Sequence, residues 1–346
     1  MIRSIELRDF RNYGHKTVGF EPGINVVIGE NGRGKTNLLE AVFLLLQGRS
    51  MRTGNVKEMV RDGSQRAVIR GEFFVEGRID KRIVIEGSGT MRGRGEVRNL
   101  RAVSFQPDDI WMVKGGPEAR RRCLDEAIID LKKGYKETLL EYQRILRQRN
   151  EAIKAVRRGK KRREYMRNWN TLLLERGSAI TEERIKAAKT MESGMAELGR
   201  RWNKGEIKLR YYASLVGDIE GSGKAMEKIE KMEEAEIRRG ITLIGPHRDE
   251  LIFMLNGRNV RRECSQGEQK MMVLMWKLAQ ARAMEEAAGK RTLLLLDDCL
   301  SELDECNRYL LLQEIGAWEQ AMVTTTDDSR EYNGTARICL EEVTTP

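Results

Sequence analysis

The sequence predicts an α/β fold in which a parallel sheet with a glycine-rich loop is interrupted by a long helical insertion. Three observations lead to this prediction. Residues 29–36 read GENGRGKT and lie between a short apolar run and a helix-forming segment. Four leucines followed by two aspartates, at 293–298, are typical of a buried strand that ends at a polar sheet edge. Between them, residues 118–245 contain no proline and are rich in Glu, Lys and Arg, which favours helices.

The composition is that of a globular protein. The chain of 346 residues is 40% apolar, which is enough for a core, and it has no run of about 18 apolar residues. Its N-terminus, MIRSIELRDF, lacks the residue order of a signal peptide, so we expect a cytoplasmic protein without a membrane partner. Five cysteines without a C-x-x-C pair argue against disulfides or a zinc site, and two histidines argue against a histidine-based catalytic site.

The net charge of +10 is concentrated in one segment. Residues 144–167 contain eleven Lys or Arg and two Glu. Because uncompensated like charges repel, we expect this segment to bind a polyanion such as nucleic acid; the alternative is a solvated helix face. The basic residues expected to contact DNA are Arg157, Arg158, Lys160, Lys161, Arg162 and Arg163.

Short apolar runs predict strands in the first hundred residues. Residues 4–7, 16–20 and 24–28 are such runs. Residues 67–75 and 81–86 are separated by a short polar turn, which predicts an antiparallel hairpin.

The run at 24–28, the glycine-rich loop and the helix former at 37–47 have the strand, loop, helix order of a phosphate cradle. The glycines let backbone N–H groups face an anion at a helix N-terminus, Lys35 supplies a charge to the outer phosphates, and Thr36 offers a hydroxyl to Mg²⁺. We therefore expect the chain to bind a nucleoside triphosphate, the alternative being a chance glycine-rich turn. The predicted nucleotide-binding residues are Gly29, Glu30, Asn31, Gly32, Arg33, Gly34, Lys35, Thr36 and Asn37.

The proline-free stretch predicts a helical hairpin with the basic segment at its tip. Large side chains recur at three- and four-residue steps from Tyr135 to Val156 and again from Met166 to Ile180. We interpret both stripes as packing between two helices. The later sequence returns to an α/β pattern that predicts a parallel sheet wrapped by helices. The predicted elements are strands at 208–214, 241–244, 251–255, 292–296 and 321–325, and helices at 267–287 and 305–317.

Two further segments complete the predicted site. A buried strand that ends at Asp297 places this carboxylate beside the phosphate loop, where it can hold Mg²⁺, and Asp298 is then positioned to orient an attacking water. Ser265 and Gly267 open a helix with a hydroxyl and a glycine amide, which predicts a second anion site at a helix N-terminus.

Taken in order, these segments resemble the ABC-type ATPase heads of the SMC and DNA-repair class, in which SQGEQ has the place of the signature motif and SELD that of the D-loop. Within that class the chain resembles the RecF family of recombination mediators from end to end. Cys264, Cys299, Glu268 and Lys270 depart from the residues usual there. The segments that carry the resemblance are LRDFRNY at 7–13, VKGGPEARRRCLDEAI at 113–128, GPHRDEL at 245–251, SQGEQK at 265–270 and LLLLDDCLSELDE at 293–305.

The resemblance implies an α/β ABC-type ATPase head, with an antiparallel β-layer beside the parallel sheet and an inserted helical arm. The implied limits are 1–112 and 239–346 for the two parts of the head and 113–238 for the arm. It also implies roles for individual residues. They are ATP contacts by Arg11, Asn12, Ser265, Gly267 and Glu268, catalytic roles for Lys35, Ser265, Asp298 and the switch residue Thr326, Mg²⁺ contacts by Thr36 and Asp297, and a D-loop of Ser301, Glu302, Leu303 and Asp304. Gln106, before Pro107, is expected to be a Q-loop residue that contacts Mg²⁺, at a position that is usually small in the RecF family.

The function implied by the resemblance is that of a DNA-repair clamp. ATP is expected to join two subunits around duplex or gapped DNA, with the signature of one covering the ATP of the other, and slow, DNA-stimulated hydrolysis with Mg²⁺ is expected to release the DNA. RecR, RecO and RecA are implied as partners, and a nucleoid-associated location in the cytoplasm. The alternatives are an SMC-like chromosome organiser, the ATPase subunit of a membrane transporter and a small-molecule kinase.

Overall fold

The computed structural model describes residues 1–215, 222–289, 291–301, 303–327 and 335–340. The chain divides into two compact units. Unit 1 comprises Met1–Asp109 and Lys277–Pro346, and unit 2 comprises Ile110–Trp276. Within the described ranges, no helix has both the length and the apolar character that crossing a membrane requires.

The regular elements follow one another along the chain as a β-rich segment, a helical segment and a mixed segment. The strands are β1 (Ile2–Phe10), β2 (Tyr13–Gly19), β3 (Gly23–Ile28), β4 (Arg66–Phe74), β5 (Arg78–Glu86), β6 (Met91–Arg94), β7 (Leu100–Phe105), β8 (Ile207–Tyr212), β9 (Glu250–Leu255), β10 (Arg258–Asn259), β11 (Arg291–Leu296), β12 (Gln320–Thr325) and β13 (Ala336–Cys339). The helices are α1 (Lys35–Gln47), α2 (Trp111–Lys114), α3 (Pro117–Leu131), α4 (Tyr135–Arg157), α5 (Arg167–Arg201), α6 (Ser222–Arg239), α7 (Val260–Glu263), α8 (Gln266–Ala288) and α9 (Glu305–Gly316).

Unit 1 contains an antiparallel and a parallel sheet. The antiparallel sheet has the strand order β2-β1-β4-β5-β6 and includes the predicted hairpin as β4 and β5. The parallel sheet has the order β13-β3-β12-β11-β7. Strands β11 and β12 are buried along nearly their whole length, as expected for a parallel sheet covered on both faces. The predicted parallel α/β fold is therefore confirmed.

Helix α1 supplies the centre of the apolar core of unit 1. Its buried apolar residues, among them Leu38, Leu39 and Val42, belong to one cluster with side chains from both sheets, such as Ile69 of β4 and Leu295 of β11. A helix that is apolar on nearly all sides has to be covered on nearly all sides. The start of α1, where the glycine-rich loop ends, is therefore held in a fixed place.

Unit 2 contains the predicted helical hairpin, formed by α4 and α5, together with the three-stranded antiparallel sheet β10-β9-β8. The large side chains of the two stripes are buried or half-buried; Ile153 and Met166 belong to one small cluster against which Val156 and Trp169 pack. The Arg149 side chain of α4 is completely buried. The interpretation of the stripes as packing between helices is confirmed.

The predicted strand at 241–244 is wrong, because side chains satisfy the backbone of this segment. The amide of Thr242 donates to the Asn150 side chain at 2.8 Å, and the amide of Leu243 donates to the Glu236 carboxylate at 2.8 Å. A segment whose donors are paired in this way needs no neighbouring strand. Strands β6, β7 and β13 were not predicted.

Candidate nucleotide site

The glycine-rich loop joins β3 to α1 through two left-handed glycines. Gly32 has φ of 86°, and Gly34, the residue before α1, has φ of 95°. A Cβ atom on Gly34 would lie 2.7 Å from Asn12 Oδ1 and 2.8 Å from the Tyr13 hydroxyl oxygen. Both the backbone angle and the lack of space therefore require glycine at position 34. This conformation turns the loop amides at the start of α1 toward one side, where an anion can be bound.

Lys35, the first residue of α1, folds back over the loop. Its ammonium donates hydrogen bonds to the carbonyl oxygen of Gly29 at 2.5 Å and to that of Glu30 at 3.0 Å. Burial lowers the pKa of Lys35, and the carboxylates of Asp298 and Asp297 oppose this shift because they stabilise the charged ammonium. The structure thus brings the loop cation and both predicted acids into one electrostatic environment.

Four neighbouring strands of the parallel sheet, β3, β12, β11 and β7, end at one edge of the sheet. The register pairs the last residues of β3 and β12 with each other and those of β11 and β7 with each other, and β12 runs two residues past the end of β11. The residues that follow these strands are Gly29, Thr326, Asp297 and Gln106. Because the strands are parallel, these four residues meet at one edge of the sheet, which is where such folds bind ligands.

A hydrogen-bonded chain links the loop helix to the two acids. The Thr36 hydroxyl donates to Asp297 Oδ2 at 2.7 Å, and the Thr324 hydroxyl donates to Asp297 Oδ1 at 2.6 Å. The amide of Asp298 donates to the Thr324 hydroxyl oxygen at 2.9 Å. The hydroxyl of Thr36 and the carboxylate of Asp297 are the hard oxygen ligands that Mg²⁺ prefers, and they are already in contact.

Asp298 adopts a left-handed backbone conformation, with φ of 44°. Asp and Asn tolerate this region better than other residues with a side chain. The Ser301 hydroxyl donates to the Asp298 carbonyl oxygen at 3.2 Å, so the first predicted D-loop residue supports this turn. Leu303 is buried, and Asp304 caps α9 by accepting from the Asn307 amide at 2.8 Å. Glu302 lies outside the described residues.

The predicted ATP contacts near the N-terminus lie beside the loop in different ways. Asn12 donates to the carbonyl oxygen of Gly32 at 3.4 Å and accepts from the Asn37 side chain at 2.8 Å. The Arg11 guanidinium instead forms two hydrogen bonds, of 2.7 and 2.8 Å, with the buried carboxylate of Glu40. The direct contact of Arg11 with nucleotide stays a prediction.

The remaining residues expected at the site have contacts of their own. Arg33 forms a 2.8 Å ion pair with Glu30, and Asn31 is exposed. The Gln106 amide group donates to the carbonyl oxygen of Met51 at 3.0 Å. Thr326 is exposed at the end of β12.

Three residues that the sequence analysis did not single out hold the site together. Thr324 bridges Asp297 and Asp298, the Tyr13 hydroxyl donates to the carbonyl oxygen of Gly34 at 3.0 Å, and Glu40 holds Arg11. Glu40 could have been recognised, since it is a carboxylate within an otherwise apolar helix. Nothing in the local sequence marks Thr324 or Tyr13.

The predicted signature residues lie in unit 2, at the start of α8. Ser265 and Glu268 form a reciprocal capping box: the Ser265 amide donates to Glu268 Oε2 at 2.7 Å, and the Glu268 amide donates to Ser265 Oγ at 3.3 Å. Arg258 pairs with the other carboxylate oxygen of Glu268 at 2.7 Å. Among the described residues, none outside the chain neighbours of Gly267 and the backbone of its own helix has an atom within 4 Å of a Cβ built on Gly267. The backbone here is therefore open to a ligand.

The arm tip, residues 157–163, exposes all six of its basic side chains. Arg163 is 3.7 Å from the carboxylate of Glu234, and the ammonium of Lys161 lies 5.1 Å from the ring centre of Tyr165. Such exposed contacts neutralise little charge. The tip is therefore a strongly positive surface.

The segment GPHRDEL, at 245–251, is held within unit 2 by buried hydrogen bonds and an ion pair. The Asp249 carboxylate is completely buried and accepts from the Tyr211 hydroxyl at 2.5 Å and the Ser214 amide at 2.7 Å. The next residue, Glu250, binds Arg120 through both carboxylate oxygens, at 2.8 and 2.9 Å. These contacts fix the segment against its neighbours in the unit.

Comparison with known proteins shows the family of the chain. The family model described as the RecF/RecN/SMC N terminal domain matches residues 1–337. The DNA replication and repair protein RecF of Bacillus subtilis (strain 168) is 36% identical over 346 residues, which cover 94% of this chain and 93% of that protein. The RecF protein of Listeria innocua is 37% identical over 359 residues, which cover 97% and 95%.

Solved structures also resemble this chain. A structure of the recombination mediator protein RecF with ATP, described as part of the RecFOR pathway, matches with a TM-score of 0.82 and 27% identity over 95% of this chain and 92% of that one. An Smc head bound to the C-winged helix domain of ScpA matches with a TM-score of 0.52 and 17% identity, over 94% and 90% of the chains, which supports the fold alone. By its family match and its relatives, the chain belongs to the RecF family of DNA replication and repair proteins.

Proposed function

We propose that this protein acts in DNA replication and repair as a clamp that ATP closes on DNA and that hydrolysis opens. The observation that carries the nucleotide part is the hydrogen bond between Thr36 and Asp297 beside the Lys35 loop. It joins the two halves of an ATP site that are far apart in sequence. The similar RecF structure with ATP supports the choice of nucleotide.

In the proposed site, the loop amides and Lys35 bind the outer phosphates of ATP. Thr36 and Asp297 would hold Mg²⁺, with Gln106 beside them; when bound, this ion neutralises charge that develops on the phosphate oxygens. Lys35 exchanges its contacts with the Gly29 and Glu30 carbonyls for the phosphates. Asp298 orients the attacking water, and Thr324 fixes both acids by its two hydrogen bonds.

The second half of the proposed active site comes from another subunit. Ser265 and the open amide of Gly267 in one subunit face the γ-phosphate held by Lys35 of the other. ATP then lies between two heads and stabilises a homodimer. Hydrolysis removes the shared phosphate contacts, so the dimer opens.

DNA is the proposed partner of the arm tip, because six exposed basic side chains lie within residues 157–163. Closing a dimer brings two such tips to one DNA molecule. A weak, DNA-stimulated ATPase suits a clamp that times its own release. By analogy with its family, the protein acts on duplex or gapped DNA with RecR and RecO to load RecA, in the nucleoid of the cytoplasm.

The composite site can be tested by mixing two inactive variants. Ser265→Arg should spare ATP binding by the monomer but block dimer closure and turnover, whereas Lys35→Met should lose ATP binding. In a mixed dimer, one site combines an intact Lys35 with an intact Ser265, so ATP hydrolysis should partly return. The measurement is steady-state phosphate release from each variant alone and from the mixture.

The control is a mixture of Ser265→Arg with wild-type protein at equal total concentration, whose heterodimers also keep one intact composite site and so set the rate expected from such a site. Heterodimers must be shown directly by native mass spectrometry. A complete lack of rescue in proven heterodimers would mean that each site works within one subunit. ATP-dependent DNA binding, absent with ADP, distinguishes a clamp from a transporter subunit or a small-molecule kinase.

A further inference from the structure

The outer face of the antiparallel sheet in unit 1 has an unusual concentration of arginine. We define the arginine face as Arg8 of β1, Arg70 of β4, Arg82 of β5, and Arg92 and Arg94 of β6. All five side chains are exposed. The face belongs to a different unit from the arm tip.

Strand pairing arranges three of these arginines in a row across the sheet. Arg70 lies opposite Arg82, and Arg82 lies opposite Arg94. One residue along, Ile69 lies opposite Ile83, and both are buried in the core of unit 1. Since side chains alternate between the faces of a strand, the arginine row points away from that core.

Acidic residues compensate only part of this charge. Glu6, next to Arg70 in the same row, is 2.6 Å from Arg8 and 3.3 Å from Arg70. Over the described part of the chain, Arg82, Arg92 and Arg94 form no ion pair. Like charges directly opposite each other destabilise a sheet, so the row costs stability in the isolated protein. An anionic partner would remove that cost.

The shape of the face suits a chain of phosphates. The row lies in an open concave region of about 710 Å³, which is lined by Arg70, Arg82 and Arg94 and also by Glu72 and Asp80 of the neighbouring row. Adjacent strands are about 4.8 Å apart, so the row from Arg70 to Arg94 spans about 10 Å. Guanidinium groups bind phosphate oxygens through two parallel hydrogen bonds, which makes arginine the preferred residue for such a surface.

The neighbouring row of the same face limits how a polyanion can lie. It contains Glu72 opposite Asp80, both carboxylates, with Arg78 close to each. A polyanion that crossed this row would meet negative charge. The charge pattern therefore favours a backbone that follows the arginine row across the strands.

We propose, building on the DNA-clamp function above, that the arginine face binds the phosphate backbone of DNA as a second contact, separate from the arm tip. The contact is independent of base sequence, because it uses exposed guanidinium groups on a sheet surface and no groove-reading element. It adds to the salt dependence of binding, since each neutralised phosphate releases counterions.

The test is DNA binding by the double variant Arg82→Ala/Arg94→Ala, measured by fluorescence anisotropy with a labelled duplex, ATP and Mg²⁺ over a series of salt concentrations. Affinity should fall several-fold, and the slope of log affinity against log salt should flatten by up to about 0.9 per lost contact. Arg82→Lys/Arg94→Lys should keep most of the slope, because it keeps the charges. Both residues are exposed, so ATP binding should not change, and the unfolding temperature should stay the same or rise slightly because like-charge repulsion in the row is removed.

The matched control is Arg98→Ala, an exposed arginine near the same sheet that pairs with Glu96 at 2.9 Å. An equal loss of duplex affinity in Arg98→Ala would overturn the proposal, because removing an arginine outside the arginine face would then weaken binding just as much. Unchanged affinity and slope in the double variant would also overturn it. In that case, ATP-dependent DNA binding by the wild type would still support the proposed clamp function. If binding of labelled polyglutamate falls in the double variant but duplex binding does not, the occupant is an acidic protein and the proposal is wrong.

Discussion

The hydroxyl of Thr36 donates a hydrogen bond of 2.7 Å to the carboxylate of Asp297, a residue 261 positions further along the chain. Thr36 is held by α1, and Asp297 directly follows β11. Because both elements are buried in the core of unit 1, this contact is preorganised before any ligand arrives. We therefore expect substitutions at the nucleotide site to change its chemistry without displacing α1 or β11.

Replacing Lys35 by Met should abolish ATP binding, with a loss of at least about 100-fold in affinity, because the phosphates lose a charge-assisted hydrogen bond in a partly buried site. Methionine has similar length, and Lys35 is buried, so the fold should persist. Titration with a fluorescent ATP analogue measures the effect. Arg33→Met, which removes a half-buried loop cation paired with Glu30, should weaken binding far less. Undiminished affinity in Lys35→Met would contradict the assignment of the phosphate loop.

Replacing Asp298 by Asn should preserve ATP binding and reduce hydrolysis by about 100-fold or more, because an amide cannot act as the base for the attacking water. Asn also tolerates the left-handed backbone at this position, where φ is 44°. ATP-bound dimers should therefore accumulate. Light scattering with ATP and a phosphate-release assay check both parts, and wild-type turnover in the variant would show that another group positions the water.

The features that could be predicted from sequence are those whose functional residues are adjacent along the chain. The glycine loop and the LLLLDD run each contain their own strand and their functional residues, and parallel pairing then brings the strand ends to one edge of the sheet without further information. Thr324 could not be predicted as the residue that connects Asp297 and Asp298, because its role depends on the register of β12 against β11. Tyr13 likewise reaches Gly34 only in the folded chain.

The wrong strand at 241–244 has the same physical cause. A short apolar run is compatible with a strand, but the choice depends on which groups accept its hydrogen bonds. Here the acceptors are Asn150 of α4 and Glu236 of α6, which are distant in sequence. Local pattern contains no information about them.

Among the charged residues of the helical hairpin, Arg149 should be the one whose substitution lowers the free energy of unfolding most. It is completely buried and donates to Asn170 at 2.9 Å, to Thr242 at 2.9 Å and to Glu236 at 2.6 Å. Arg149→Met should lower the free energy of unfolding by about 3–5 kcal/mol, because it leaves Glu236 buried without its counter-charge. Urea denaturation measures the change.

The exposed neighbour Arg147 on the same helix provides the control, and Arg147→Met should change stability by less than about 0.5 kcal/mol. Adding Glu236→Leu to Arg149→Met should restore part of the loss, since the unpaired charge is then removed. Equal effects of the two single variants would show that the buried pair is unimportant.

His247 should make unit 2 less stable in mild acid. Burial lowers its pKa from 6.5 to about 4, and its Nδ1 atom lies 2.6 Å from the Tyr142 hydroxyl oxygen. Between pH 6.5 and 4 the unfolded chain takes up a proton that the folded chain does not, so the free energy of unfolding should fall with decreasing pH. The loss should be at most about 3 kcal/mol. In His247→Gln the same window should show a smaller slope in urea denaturation, and identical slopes would contradict the prediction.

The final prediction concerns the arm tip. Reversing Lys160, Lys161, Arg162 and Arg163 to Glu should lower duplex affinity strongly, since four exposed cations become anions. ATP binding should persist, because these residues lie outside the unit that contains the phosphate loop. If the four residues contact phosphates, the slope of log affinity against log salt should flatten by up to about 0.9 for each lost contact.

The control for that experiment is reversal of Lys186 and Lys189, exposed lysines on α5 well away from the tip in sequence. This variant changes the net charge of the same helical hairpin and should leave the salt slope nearly unchanged. If the tip variant also keeps its affinity and slope, the basic segment is only a solvated turn. DNA binding would then have to come from other surfaces, and combining the tip reversal with Arg82→Ala/Arg94→Ala would show whether the arginine face alone supports it.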